Sequence, residues 1–271
     1  MKTLLTTTAL TLAATAAFAG GHLCYEGKTL TEGKLTVATG NPAYYPWVMD
    51  DNPESGMGFE AAVAYAVADE MGIAAEDVVW VRTSFDEAIQ PGAKNFDVNM
   101  QQYSITPERD EMVDFSAPYY SAAMAVLAVG DAASTPATLS DLRALKWGAV
   151  GTTTAVPKLI ETIQPSSQPL LYGDNADVTA AMQAGQIDAA LFDLPTALFL
   201  SAVVIDGASI IGQFPADRTE VPDQFGMLME EGSALKECVD AALAALEESG
   251  KLAEIEAQWL QDTTGVPLIA E

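Results

Sequence analysis

The chain is poor in the residues that most metal and catalytic sites draw on. It has one histidine, His22, and two cysteines, Cys24 and Cys238, so no cluster of ligands at zinc spacing can be assembled. Basic residues are also scarce: 12 Lys and Arg stand against 38 Asp and Glu, a net charge of −26. A phosphate backbone wants a basic face, so nucleic acid is excluded as a partner, and anionic membrane surfaces are disfavoured for the same reason. After the N-terminus, no run approaches the roughly 20 apolar residues that span a bilayer. There is no Gly-x-x-x-x-Gly-Lys-Ser/Thr loop for a nucleotide phosphate. The shortage of positive charge does not signal disorder, because 49% of the residues are hydrophobic.

The N-terminus reads as a removable export signal. Lys2 supplies the positive start, Leu4 to Phe18 form a Leu/Ala/Thr-rich stretch without acid, and Ala17-Phe18-Ala19 has the small-x-small pattern of a cleavage site. Residues 1–19 are therefore the expected signal peptide, cleaved after Ala19, with the rest of the chain in the periplasm. Exported cysteines meet an oxidising compartment, so a Cys24–Cys238 disulfide is expected. The competing possibility is a free Cys24 and a Cys238 buried as a small apolar residue, since it lies on the stripe Leu235, Cys238, Val239, Ala242, Leu243, Leu246. His22 falls in an N-terminal stub.

Strand-like and helix-like segments alternate twice along the chain. Lys34–Thr39, Val78–Val81 and Asp97–Gln102 read as strands, with Phe59 to Met71 at helical spacing between the first two and Gly72 as its stop. The pattern restarts at Trp147–Val150, Leu170–Tyr172, Ile187–Phe192 and Ser209–Gln213, interleaved with helices. Ala125–Val129 leads out of the first unit and Val221–Met229 leads back. The fold class is α/β, with two units and largely parallel sheets.

A protein that captures a free α-amino acid needs a fixed guanidinium for the carboxylate and a fixed carboxylate for the ammonium. It also needs hydroxyls or N–H groups for the remaining lone pairs, and an apolar wall. The sequence carries such parts in an ordered set. Ser104-Ile105-Thr106-Pro107-Glu108-Arg109 is followed by Val113-Asp114-Phe115-Ser116 and Pro118-Tyr119-Tyr120. Upstream stand Pro42-Ala43-Tyr44-Tyr45-Pro46-Trp47 and Gly58-Phe59-Glu60, and downstream Gly151-Thr152-Thr153 and Asp188-Ala189-Ala190 to Asp193. From about Lys34 to Leu260 the chain resembles the bacterial solute-binding protein family 3, the polar amino-acid-binding proteins of ABC importers.

The resemblance implies a type II periplasmic-binding-protein fold: two α/β lobes joined by two hinge strands. Lobe one would be residues 20–119 plus 226–271, lobe two 124–220, and the hinge 120–123 and 221–225. It implies that Arg109 grips the ligand carboxylate, assisted by Thr153 and, beside it, Thr152. Asp193 would hold the ammonium with Ser104 and the carbonyl of Gln102, and Tyr44 and Phe85 would sandwich the ligand. Outside this motif Arg109 would read as a solvated surface charge, Asp193 as a helix cap before Pro195, and Tyr44 as packing. Asn41 stands where relatives often carry Asp, and Gln101 and Gln102 stand where small residues are usual. These departures favour a smallish polar or neutral ligand over Lys or Arg.

The resemblance implies no cofactor and no metal. The expected partners are a small-molecule amino acid and an ABC permease in the inner membrane, and a monomer is expected. Two other functions remain open on the same residues: a ligand-sensing module for a receptor, or a dehydratase-like enzyme. The second would need a spare general acid or base in the cleft, which the sequence does not reveal.

Overall fold

The structure, a computed structural model, describes residues 23–214, 223–260 and 265–270. The expected signal peptide, His22, and Val221 and Pro222 of the expected hinge lie outside them. The first part of the chain runs β1 (Leu35–Thr39), α1 (Phe59–Met71), β2 (Val78–Arg82), α2 (Phe85–Ile89), β3 (Val98–Asn99), α3 (Pro107–Asp110) and β4 (Asp114–Ala122). The middle runs β5 (Met124–Ala128), α4 (Leu139–Leu142), β6 (Trp147–Val150), α5 (Ala155–Pro157), β7 (Leu170–Tyr172), α6 (Asn175–Gln183), β8 (Ala189–Asp193), α7 (Leu194–Phe199) and β9 (Ser209–Phe214). Strand β10 (Asp223–Met229) and helices α8 (Lys236–Glu248) and α9 (Lys251–Trp259) follow.

These strands form two five-stranded sheets, ordered β2-β1-β3-β10-β4 and β7-β6-β8-β5-β9. Each is mixed rather than largely parallel. In the first, β1 is parallel to β2 and β3, while β10 is antiparallel to β3 and β4. In the second, β6 is parallel to β7 and β8, while β5 is antiparallel to β8 and β9. The antiparallel strands are those that carry the chain between the sheets. Only Ala123 separates β4 of the first sheet from β5 of the second. The expected hinge segments run side by side, with Ala122, Ser121 and Tyr120 paired to Asp223, Gln224 and Phe225.

Both sheets are covered on both faces, and the strands alternate accordingly. Leu35 and Val37 of β1 join one cluster with α1 and α8, while Ala38 points into another with Tyr103 and Val113. In β5, Ala125 and Leu127 face one cluster and Val126 and Ala128 the opposite one. The α8 stripe of Leu235, Cys238, Val239, Ala242, Leu243 and Leu246 is buried against the first sheet. Cys238 is joined there to Cys24 with Cα atoms 5.6 Å apart, so the N-terminal segment is tied to the helix as expected.

The end of the chain departs from its expected place in lobe one. Gln213 N–H donates to Pro267 O at 2.9 Å and Ile269 N–H to Gln213 O at 3.0 Å, which pairs the tail with β9. Ile269 lies over Gly212, where an added Cβ would come within 2.3 Å of its Cδ1. The cause is the open edge of the second sheet: β9 is its outer strand, and the tail supplies partners for its backbone.

Replacing both Cys24 and Cys238 by Ser should destabilise the protein by about 3–5 kcal/mol, because the bridge closes a loop of most of the chain. Urea denaturation of the variant and the oxidised wild type measures this. Identical midpoints would show that the bridge constrains nothing.

Candidate functional site

A cavity of about 260 Å³ lies between the lobes. Its walls come from the C-terminal ends of β1, β6 and β8 and from the loops that follow them, the usual position for ligands on α/β sheets. The volume falls just under the roughly 300 Å³ at which typical small-molecule pockets begin, so it suits a single small solute.

The loop after β1 builds the floor. Helix α1 starts without a side-chain cap. Backbone carbonyls replace one: Phe59 N–H donates to Pro46 O at 2.9 Å, and Glu60 N–H to Trp47 O at 3.0 Å. The approach is so close that a Cβ on Gly58 would sit 2.5 Å from Trp47 O, and Gly58 has φ 106°, so only glycine fits. The loop is held further by Asp51, which accepts from Ala43 N–H at 2.8 Å, and by Arg82, which donates to Gly40 O at 2.7 Å. This start places Glu60 inside the protein, 1% exposed and at the cavity wall. Its carboxylate accepts from Gln102 N–H at 2.8 Å, from the Gln102 side-chain amide and from the Tyr119 hydroxyl. Gln102 is in the left-handed region, φ 55°, and these bonds hold that turn. Burial pushes the Glu60 carboxyl up to about 7 despite the three donors, with a further push from Asp193.

Arg109 is 6% exposed on α3, after Thr106 caps that helix. Its guanidinium donates to Ser104 O at 2.7 Å and, across the cleft, to Thr152 O at 2.9 Å. Phe85 stacks on Tyr103 with centroids 4.3 Å apart, and the Arg109 guanidinium carbon lies 5.4 Å from the Phe85 centroid. Burial pulls the Arg109 pKa down, and Asp223 works against that shift.

From the second lobe, Asp193 accepts from Thr196 N–H at 2.8 Å and so caps α7, with Pro195 in the first turn. It also lines the cavity. Burial raises its pKa to about 6. The lobes are in contact around the cavity. The Trp47 indole N–H donates to Thr196 Oγ1 at 2.9 Å, the Thr152 hydroxyl donates to Asp86 at 2.5 Å, and Tyr45 meets Phe199 with centroids 4.5 Å apart.

Of the ten residues expected at the site, nine line this cavity: Asn41, Tyr44, Phe85, Gln101, Gln102, Ser104, Arg109, Thr153 and Asp193. Thr152 does not; its carbonyl and hydroxyl are engaged at the rim with Arg109 and Asp86. The two long amides contribute less than their positions suggest. Gln101 donates to Thr83 and Asn99, both at 2.9 Å, and the Gln102 amide donates to Glu60. The larger omission concerns charge. Glu60, Asp86, Asp174 and Asp223 join Asp193 in the lining, so five carboxylates face one guanidinium. Asp223 accepts from the Thr154 hydroxyl at 3.3 Å and from Ser104, near Arg109 and Lys158. The case against basic ligands rested on Asn41 and on the amides Gln101 and Gln102, and these lining carboxylates weigh against it.

Over residues 35–262 the sequence matches the bacterial extracellular solute-binding proteins, family 3. The chain belongs to this family. This family 3 protein is 27% identical over 212 residues to the ABC transporter arginine-binding protein 1 of Escherichia coli K12, covering 75% of this chain and 81% of the relative. It is 25% identical over 218 residues to the L-cystine-binding protein TcyJ of the same strain, covering 80% and 79%. Among solved structures, an ancestral arginine-binding protein bound to glutamine is 25% identical with a TM-score of 0.69, covering 86% of this chain and 100% of that one. Membership brings a substrate-binding role alongside amino-acid ABC transporters, and relatives in the periplasm.

Glu60 binds more proton in the folded than in the unfolded protein between pH 4.5 and about 7, and Asp193 does so between 3.8 and about 6. Stability is therefore present at the acid end of this window and falls as pH rises through it, with up to about 3 kcal/mol from Glu60. Glu60→Gln should flatten the decline between about pH 5 and 7.5 in urea denaturation series. Parallel wild-type and variant profiles would contradict the placement of this acid.

Proposed function

We propose that this protein is the periplasmic substrate-binding subunit of an ABC importer. It captures an L-amino acid or related small zwitterion in the interlobe cleft and delivers it to the inner-membrane permease. One observation carries the reading: Arg109 from the first lobe and Asp193 from the second line the same cavity. A guanidinium and a carboxylate on facing walls match the two charges of an α-amino acid. Arg109 takes the carboxylate with the N–H groups not engaged by Ser104 and Thr152, next to Ser104 and Thr153. Asp193 takes the ammonium. Tyr44 and Phe85 flank the ligand.

The pair 120–123 and 221–225 acts as the hinge. Closure brings Arg109 and Asp193 together, so a ligand that touches both favours the closed state. Export proceeds through residues 1–19, with cleavage after Ala19, and the protein works as a monomer. Five carboxylates in the lining make an anionic ligand side chain unfavourable and leave a cationic one acceptable.

The enzyme alternative gains one observation, since Glu60 has the near-neutral acidity that a general acid or base needs. Its hydrogen bonds with Gln102 and Tyr119 fix the carboxyl at the cavity wall and favour binding over catalysis. Mass spectrometry after long incubation with L-amino acids separates the two: unchanged ligand means capture, a product means catalysis.

Calorimetry on two variants tests the binding reading. Arg109→Ala should cost about 2–5 kcal/mol in affinity, the usual loss on truncating one partner of a buried charge pair. Asp193→Asn should weaken an L-amino acid more than its deamino analogue. Equal losses would mean that Asp193 only caps α7. Across side chains, L-glutamate and L-aspartate should bind less tightly than L-arginine and L-glutamine.

A further inference from the structure

Glu60 and Asp193 come from opposite lobes, line one cavity and act on each other electrostatically. A short chain of contacts connects them. Trp47 accepts from Glu60 N–H at 3.0 Å and donates through its indole to Thr196 at 2.9 Å, and Thr196 N–H donates to Asp193 at 2.8 Å. Among the described residues, no Lys or Arg stands within ion-pair distance of either carboxylate. Around Glu60 stand Gln102, Tyr103, Tyr119 and Asp193, and around Asp193 stand Asp223, Tyr119, Tyr120 and Thr196. The titratable members of this set are acids, and none of the set is a cation. Bringing the lobes together therefore places the two carboxylates on facing walls of one cavity, and Arg109, the guanidinium of that lining, is engaged by Ser104 and Thr152 and ion-paired to neither.

We propose that Glu60 is a second carboxylate for the ligand's ammonium, so that the amine is read from both lobes and its binding drives a proton off the Glu60–Asp193 pair. This rests on the amino-acid reading above and adds a residue and a proton to it. The Glu60 carboxyl gives its proton to the buffer and becomes a carboxylate. The ammonium keeps its three hydrogens and donates them to the two carboxylates and their neighbours. A carboxyl near neutrality carries the exchangeable proton at physiological pH, and a cation arriving beside it lowers its pKa. A ligand lacking the amine offers no such exchange, and the pair discriminates against it on charge as well as on lost hydrogen bonds.

Titration calorimetry of the full protein in buffers of different ionisation enthalpy counts the protons. The probes are L-arginine, L-glutamine and the deamino analogue of L-arginine, which keeps its carboxylate and guanidinium. At about pH 6.5 both amino acids should release between roughly half a proton and one proton, and the deamino analogue none. Amino-acid affinity should rise by up to about tenfold per pH unit from about 5.5 and level off above about 7.5. Glu60→Gln should abolish the release and weaken the amino acids by about tenfold or more at about pH 8, while moving the deamino analogue by less than about threefold. Glu60→Asp should retain the release.

Amino-acid binding without proton release in the wild type would overturn the proposal and leave the amino-acid reading standing. So would an equal release with the deamino analogue, or a wild-type proton count in Glu60→Gln. If neither amino acid binds the wild type, both readings fall. The wild-type count requires no variant to fold.

Discussion

The carbonyl of Trp47 accepts the N–H groups of Glu60 and Ala61, in the place where a side chain would ordinarily cap a helix. Several other features depend on that contact. It requires Gly58, because a Cβ there would strike Trp47 O. It turns Glu60 inward, where Gln102 and Tyr119 meet it. The indole of the same residue is fully buried and packs edge-on against Phe59, Tyr120 and Phe225, so it sits on both hinge strands. Its N–H reaches Thr196 in the other lobe. A single residue thus couples the start of α1, through its carbonyl, to the crossing strands and the wall that carries Asp193, through its indole. Removing the indole would leave a cavity and orphan a buried hydroxyl together, while the backbone carbonyl that caps α1 would remain, so the two side-chain effects would not separate into independent terms.

The charge of the whole chain and the charge of the cleft have to be distinguished. A surface at −26 is screened by salt over about 8–10 Å and mainly sets solubility and encounter. The carboxylates of the cavity are screened far less, and burial already raises the pKa of Glu60, Asp193 and Asp223. Arg109 is the counterweight, and it is itself depressed by burial. The site is therefore strained towards taking up positive charge, either as protons or as the cationic end of a solute. That bias would be invisible in a net-charge count.

Much of the architecture is legible in the sequence because local rules and tertiary structure agree there. Trp147–Val150 and Ala189–Phe192 are apolar runs bounded by turn residues, and both are buried strands, whereas the expected strand Asp97–Gln102 is reduced to Val98–Asn99. The α8 stripe predicts its buried face residue by residue. Arg109 and Asp193 are legible because they stand inside an ordered motif. Glu60 is quoted in that same motif, yet an acid in the first turn of a helix is where the helix dipole favours one. Nothing nearby in sequence shows that Gln102 and Tyr119 converge on it. Asp223 is hidden because it opens a strand beside the crossing, and its partners Thr154 and Lys158 belong to the other lobe. The tail misleads for a different reason. Its docking on β9 answers an unpaired sheet edge, which is a property of topology and not of the tail's own residues.

The contacts that bridge the cleft are few and mostly polar: Trp47 with Thr196, Arg109 with Thr152, Thr152 with Asp86, Thr154 with Asp223, and the rings of Tyr45 and Phe199. Net hydrogen bonds of this kind contribute only about 0.5–1.5 kcal/mol each, since water satisfies the same groups when the lobes part. No apolar cluster with members from both sheets stands among the cores of the described residues; each cluster belongs to one lobe. Closure is therefore a balance of small terms, and the opposed carboxylates of Glu60 and Asp193 weigh against it. A ligand shifts such a balance by its differential affinity for the two states, and about 5.5 kcal/mol suffices to reverse a hundredfold preference. An ammonium placed between two buried carboxylates both adds attraction and removes the repulsion. On the proposed amino-acid reading, the amine of the ligand therefore contributes to closure as well as to affinity.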